Sequence, residues 1–166
     1  MKNFFFNDPK LLLYGFLIIF FASYGQTFFI SLFNTEIKIF YELSDGEFGL
    51  VYAVATVLSA LFLISFAKLI DHIDLRIYSL IITLGFLLAC LGMVMLISNV
   101  FYLFLIIFML RFFGQGAMDH AGGTTMARYF GNDRGKALSV ATFGGMIGVM
   151  FLPYFALNFF ENIGFF

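Results

Sequence analysis

The chain has 166 residues; 62% are hydrophobic, only 11% are charged, and the net charge is −1. Mean hydropathy is +1.00, whereas a soluble domain covers its core with a polar skin in which about a quarter of residues are charged. The composition therefore excludes a soluble enzyme, a disordered tail and, with no basic field, a nucleic-acid binder.

A transmembrane helix needs about 20 predominantly apolar residues. Five such runs occur, at 11–33, 47–70, 77–97, 101–127 and 137–160. They predict an all-α membrane protein: an N-terminal segment 1–10, a five-helix bundle 11–160 and a stub 161–166. The first run is too long, and too weakly basic at its start, for a cleaved signal peptide. Its one polar cluster is Tyr24, Gly25, Gln26 and Thr27. The gap from Asn34 to Gly46 carries Glu36, Lys38, Glu42 and Asp45, and the turn after the second run holds Asp71, Asp74 and Arg76. The third run has no charge and reads as a peripheral helix. Its Cys90 is the one cysteine, cannot form an internal disulfide and reads as inert packing. The fourth run carries Arg111, Gln115, Asp119 and His120, and a basic connection from Arg128 to Lys136 follows it. The fifth has Gly144 and Gly148, four apart, the spacing that lets helix backbones touch. Gly114 and Gly116 mark the fourth run in the same way, and Pro153 is expected to kink the last third of the fifth. Short connections imply antiparallel neighbours.

Lys and Arg set orientation. Lys2, Lys10, Lys68, Arg76, Arg128, Arg134 and Lys136 share one side, and Lys38 stands alone on the other. This places the N-terminus in the cytoplasm. Tyr14, Tyr78 and Tyr129 then fall at the inner interface, and Tyr41, Tyr52 and Tyr102 at the outer one.

A charge near the bilayer centre costs a few kcal/mol on insertion scales, about 2.5–3.5, and normally faces a bundle interior or watery cavity. At 100° per residue, Arg111, Gln115, Asp119 and Gly122 fall within about 80° of one another, with His120 roughly opposite Arg111. The stripe either lines a cavity or neutralises partners between helices; His120 alone reads as packing or an interhelical hydrogen bond. Counting 1.5 Å per residue from the span centres puts Arg111 about 4.5 Å and Gln26 about 6 Å outward of the midplane. Arg suits bidentate recognition of a carboxylate. Gln26 and Arg111, with Tyr24 and Gln115 beside them, are therefore candidate binding residues for an anionic solute, or else bond only to protein. Asp119, with His120 next to it, is the candidate for proton coupling or charge balance. Asp119 and His120 make a poor metal pair, no metal or cofactor site is expected, and no HExxH or phosphate loop suggests an enzyme.

The chain resembles the N-terminal part of a major facilitator superfamily transporter, and four stretches carry the resemblance. Residues 67–76 follow G-x-x-x-D-R/K-x-G-x-R at Asp71 and Arg76, with Ala67 and Asp74 in place of the glycines and His72 in place of the basic residue. Arg111 to Ala117 is similar to R-x-x-x-G-x-G, with slightly different spacing. Ala127-Arg128-Tyr129-Phe130 and Arg134-Gly135-Lys136-Ala137 resemble the A-R-[WY]-F…R-G-[KR]-A stretch of bacterial members. Gly144, Gly145, Gly148 and Pro153 are like the family's Gly/Pro-rich fifth helix, without the Gly-Pro pair of antiporters. The resemblance is to bacterial carriers of the monocarboxylate or organic-anion type. It implies a six-helix half-bundle, two such halves rocking about a midplane site, and a cytoplasmic gate holding Asp71, Arg76 and Arg128. With five spans, the chain is expected to be a truncated part of such a transporter in a bacterial inner membrane. Its partners would be the lipid bilayer, a small solute, a co-transported proton and the C-terminal half. The competing expectation is a non-transporting scaffold, or a half-transporter that assembles with another chain.

Overall fold

The computed structural model describes residues 8–95 and 97–163, with side chains to residue 158. Lys2, most of the N-terminal segment and the end of the 161–166 stub lie outside the described residues. Those described form helices and turns and contain no strand. Helices α1 (Pro9–Ala22), α2 (Thr27–Ser31), α3 (Asn34–Tyr41), α4 (Asp45–Phe66), α5 (Leu75–Val94), α6 (Val100–Met109), α7 (Asp119–Tyr129) and α8 (Arg134–Ile163) follow in order. Five stretches are long and apolar enough to cross a membrane: Pro9–Ser31, Asp45–Asp71, Leu75–Val94, Val100–Tyr129 and Gly131–Asn158.

Polar residues at the ends explain where the helices start. Four N–H groups at a helix start lack intrahelical partners, and short polar side chains satisfy them. Asp8 accepts from the Leu11 N–H at 3.3 Å ahead of Pro9. Ser44 and Glu47 form a reciprocal capping box at the start of α4. Asp74 accepts from the Arg76 N–H at 2.7 Å, and Asn99 from those of Phe101 and Tyr102. Helix α3 ends at Glu42, the one non-glycine residue with positive φ among the described residues, at 55°.

The first and fourth spans are the centre of the bundle. The fifth packs along the first, and the second and third pack on the fourth. Small residues allow the closest approaches: Gly144 faces the backbone of Phe16, and Gly148 faces Ser23. The core holds Tyr78, Ile82, Leu103, Ile107 and Met126, all fully buried. Outward faces carry Leu61, Phe62, Leu84, Leu88, Met146 and Val149, as lipid contact requires.

Three elements depart from the sequence expectation. The first run is not one helix: α1 ends at Ala22, a 3₁₀ turn covers Ser23–Gly25, Gln26 is extended (φ −76°, ψ 154°), and α2 restarts at Thr27. The gap after it contains α3. The fourth span is not uniformly α-helical, because a π-helix, Leu110–Met118, separates α6 from α7. Pro153 lies inside α8.

Candidate functional site

The two irregular stretches of backbone meet. A Cβ on Gly25 would lie 2.5 Å from the Leu110 carbonyl oxygen and 2.8 Å from the Gln115 nitrogen. A Cβ on Gly114 would lie 2.9 Å from the Gly25 Cα. The break in the first span therefore rests directly on the π-helix of the fourth, and only glycine fits on either side. In lipid, backbone groups freed by a break need internal partners, and π-helical turns recur at functional positions.

Arg111 supplies one such partner. Its Nη1 donates to the Gly25 carbonyl at 3.3 Å and to the Thr27 hydroxyl oxygen at 3.1 Å. The Tyr52 hydroxyl on α4 donates to the same Thr27 oxygen at 2.9 Å. The Tyr52 ring lies 5.4 Å from the Arg111 guanidinium carbon, within cation–π range. Arg111 is 8% exposed, and its Nε is buried with no hydrogen-bond partner. Both protein bonds leave from Nη1, so the Nε/Nη2 edge, the one that receives a carboxylate side-on, carries none.

Gln26, between the two residues that hold Arg111, points elsewhere. Its Nε2 donates to Asp119 Oδ2 at 2.9 Å. Asp119 opens α7, two turns along from Arg111, and the two charges make no ion pair with each other among the described residues. The Gln115 Oε1 between them is buried and unpartnered. His120 sits 3.4 Å from the Thr124 hydroxyl, a turn further on.

The structure thus brings Arg111, Gln26, Gln115 and Asp119 to the break in the first span, in two separate pairings. Arg111 meets Gly25 and Thr27, and Gln26 meets Asp119, so the level shared by Gln26 and Arg111 does not become a contact. Tyr24 lies apart from them. It lines an apolar crevice of about 530 Å³ with Phe21, Phe86, Leu87 and Cys90, and its ring packs edge-on against Phe29 at 4.9 Å. Thr27 and Tyr52 were missed as site residues. Thr27 belonged to a visible polar cluster, but Tyr52 read as part of an interfacial aromatic belt, and no spacing within one helix links it to Arg111.

A second polar cluster lies at the opposite end of the fourth span. Arg128 in the last turn of α7 forms an ion pair with Asp71, and its Nη1 donates to the Ile70 carbonyl at 3.2 Å. Asp71 ends a 3₁₀ turn, Ala67–Asp71, that continues α4. Arg76 stands outside this pair: it lines a separate cavity of about 370 Å³ with Asp8, Lys10, Tyr14 and Ser79. Among the described residues, no group of three or more His, Cys, Asp or Glu could hold a metal ion.

The family model of the Major Facilitator Superfamily matches residues 4–166, nearly the whole chain. The chain belongs to the major facilitator superfamily. It is therefore an integral membrane protein of a transporter family rather than an enzyme family. Its spans contact lipid, and a small molecule is its kind of substrate. No curated protein and no solved structure matches the chain. Within this superfamily member, the polar side chains of the fourth span form two clusters with their neighbours: one at the break beside Arg111 and one at the turn holding Asp71.

Proposed function

We propose that this protein takes part in carrying a small organic anion, of the monocarboxylate type, across a bacterial inner membrane by alternating access. The observation that supports this reading is Arg111: a buried guanidinium with no carboxylate partner and a donor edge with no protein hydrogen bond. A cation inside a membrane protein is costly unless paired. A solute carboxylate on the Nε/Nη2 edge supplies the missing charge, with Gln115 close by in the chain. Asp119 is the complementary case, a carboxylate held by an amide and no cation. It is the candidate for the co-transported proton, with His120 beside it, so that solute and proton together cross without net charge. Tyr24 has no place in this reading, since it lines the apolar crevice.

The distribution of Lys and Arg supports an N-terminus in the cytoplasm. On that orientation, Asp71 and Arg128 hold the cytoplasmic gate, and Arg76 flanks it. The chain supplies five helices of a transporter whose other part completes the solute cavity. The test is uptake of radiolabelled carboxylates into proteoliposomes containing the full-length protein. Anion uptake that depends on Arg111 and is driven by an inward proton gradient supports the reading. Uptake that survives Arg111→Ala at the parent rate overturns it.

A further inference from the structure

We propose that Arg111, Thr27 and Tyr52 form a tether that ties the solute site to the short helix α2 beyond the break in the first span. The proposal rests on the anionic-solute reading only for what releases the tether, not for the tether itself.

The helix that restarts at Thr27 has five residues. A helix this short is not stable by its own hydrogen bonding, because nucleation fixes several dihedrals before bonds accumulate. It has no side-chain cap: Gln26 stands at the capping position, but its amide is on Asp119. The Ser31 hydroxyl bonds only locally, to the Phe28 carbonyl. Among the described residues, the polar restraints on α2 from outside the first span therefore converge on one atom, the Thr27 hydroxyl oxygen. That oxygen accepts from Arg111 on the fourth span and from Tyr52 on the second. Arg111 also holds the last carbonyl before the break, that of Gly25. One guanidinium thus grips both sides of the discontinuity, with the Tyr52 ring 5.4 Å from its central carbon.

The same guanidinium keeps its other edge without a protein bond. The fork is rigid and planar, so a carboxylate taking the Nε/Nη2 edge in two parallel bonds reorients all five N–H groups together. The Nη1 bonds to Thr27 and Gly25 lie on the opposite side of that fork and shift with it. Solute occupancy is thereby transmitted to α2, and through the short turn after Ser31 to α3. Thr27 and Tyr52 are positioning residues in this scheme: they touch Arg111 and not the solute.

The test uses the single cysteine to advantage. With Cys90→Ser as background, spin labels at Ser31→Cys and Leu50→Cys report the distance between the end of α2 and the start of α4 in lipid nanodiscs. Both positions are exposed. Without any anion, the parent gives a narrow distribution. Thr27→Val keeps the shape but removes the acceptor, and is expected to broaden the distribution about twofold, as one oxygen carries both restraints. Thr27→Ser restores the narrow form, and Tyr52→Phe, which keeps the ring, broadens it less. Retained helical circular dichroism separates these effects from misfolding. A narrow distribution in Thr27→Val, or a broad one in Thr27→Ser, overturns the tether. A panel of sodium lactate, benzoate and succinate then separates the two readings. Broadening of the parent by one of these, with no further change in Arg111→Gln, supports release by the solute. If Thr27→Val broadens the distribution and no carboxylate moves the parent, the tether stands and the anionic-solute reading fails.

Discussion

Arg111 and Arg128 lie on the same span and carry the same guanidinium, yet their surroundings differ in almost every respect. The Arg128 side chain is 40% exposed, faces Asp71 at 58%, and has a backbone carbonyl as well. Arg111 is 8% exposed and has a carbonyl, a hydroxyl and a ring but no carboxylate. At the wet end of a span an ion is well solvated, and pairing it adds about 0–1 kcal/mol. Near the bilayer centre the same group costs about 2.5–3.5 kcal/mol on insertion scales. The paired arginine is thus the one whose loss matters less. The unpaired one is the one for which a bound partner would change most.

Replacing Arg111 is the strongest way to break this contrast. Charge-assisted hydrogen bonds contribute about 1.5–3 kcal/mol, or roughly ten- to a hundredfold in affinity. Arg111→Ala is expected to lower initial carboxylate uptake into proteoliposomes by at least about tenfold on that scale. Arg111→Lys recovers little, because a point charge lacks the planar fork. An Arg111→Lys variant with parent uptake would show that charge alone, and not the orientation set at the break, is what the site requires.

The break itself gives the next largest effect. Gly25→Ala places a methyl against backbone, and Gly114→Ala places one against the Phe86 ring and the Gly25 backbone; the backbone cannot yield as a flexible side chain does. Overpacking of this kind costs about 1–3 kcal/mol, read as a lowered thermal unfolding midpoint in detergent. Gly123→Ala is the internal control: nothing lies within 4 Å of its Cβ, and it sits inside α7. There the helix propensity of alanine favours the variant by up to about 1 kcal/mol. Equal midpoints for Gly25→Ala and Gly123→Ala would mean that the two spans do not touch at the break.

A smaller effect belongs to Gln26 and Asp119, 2.9 Å apart. Removing either side leaves the other without its partner, so Gln26→Leu and Asp119→Leu should not add. The coupling energy from the double variant is expected at about 0.5–3 kcal/mol, the range for side chains in contact. Additive unfolding midpoints would separate the two residues and leave Asp119 without the amide that holds it.

The spans, their order and the charge cluster around Asp71 were legible because each rests on local chemistry. Twenty apolar residues, a Lys or Arg at a turn, and an A-R-Y-F stretch all lie within one segment of chain. The break at Gln26 was not legible, since its cause is another helix: Gly25 gives up α-helical geometry where it meets the backbone of Gly114 and Gln115. The π-helix from Leu110 to Met118 was hidden for the same reason. A wheel at 100° per residue assumes α-helix throughout, and hydrogen bonds to the fifth residue turn the chain less at each step. The stripe of Arg111, Gln115 and Asp119 nevertheless faced the first span, because residues four and eight apart stay close on either kind of helix. Tyr52 and Thr27 could not be found by this route. Their link to Arg111 crosses three spans, and sequence spacing describes one at a time.

The weakest expected effect on stability is the one that tests the wet end of the comparison. Asp71→Asn removes the carboxylate from Arg128 but leaves the Ile70 carbonyl at 3.2 Å. With both side chains well exposed, the thermal cost should stay below about 1 kcal/mol and shrink further in added salt, which screens surface charges. Transport is the more sensitive readout if the pair holds a gate. An exposed pair that exists in one state of a cycle and not in another shifts the populations of those states by its own free energy, even when global unfolding barely registers it. Asp71→Asn should therefore change the uptake rate at saturating solute more than the solute concentration giving half-maximal rate, the reverse of what removing the Arg111 fork does. A large, salt-insensitive loss of stability would instead mean that Asp71 is a buried structural anchor, and the two ends of the fourth span would no longer differ in kind.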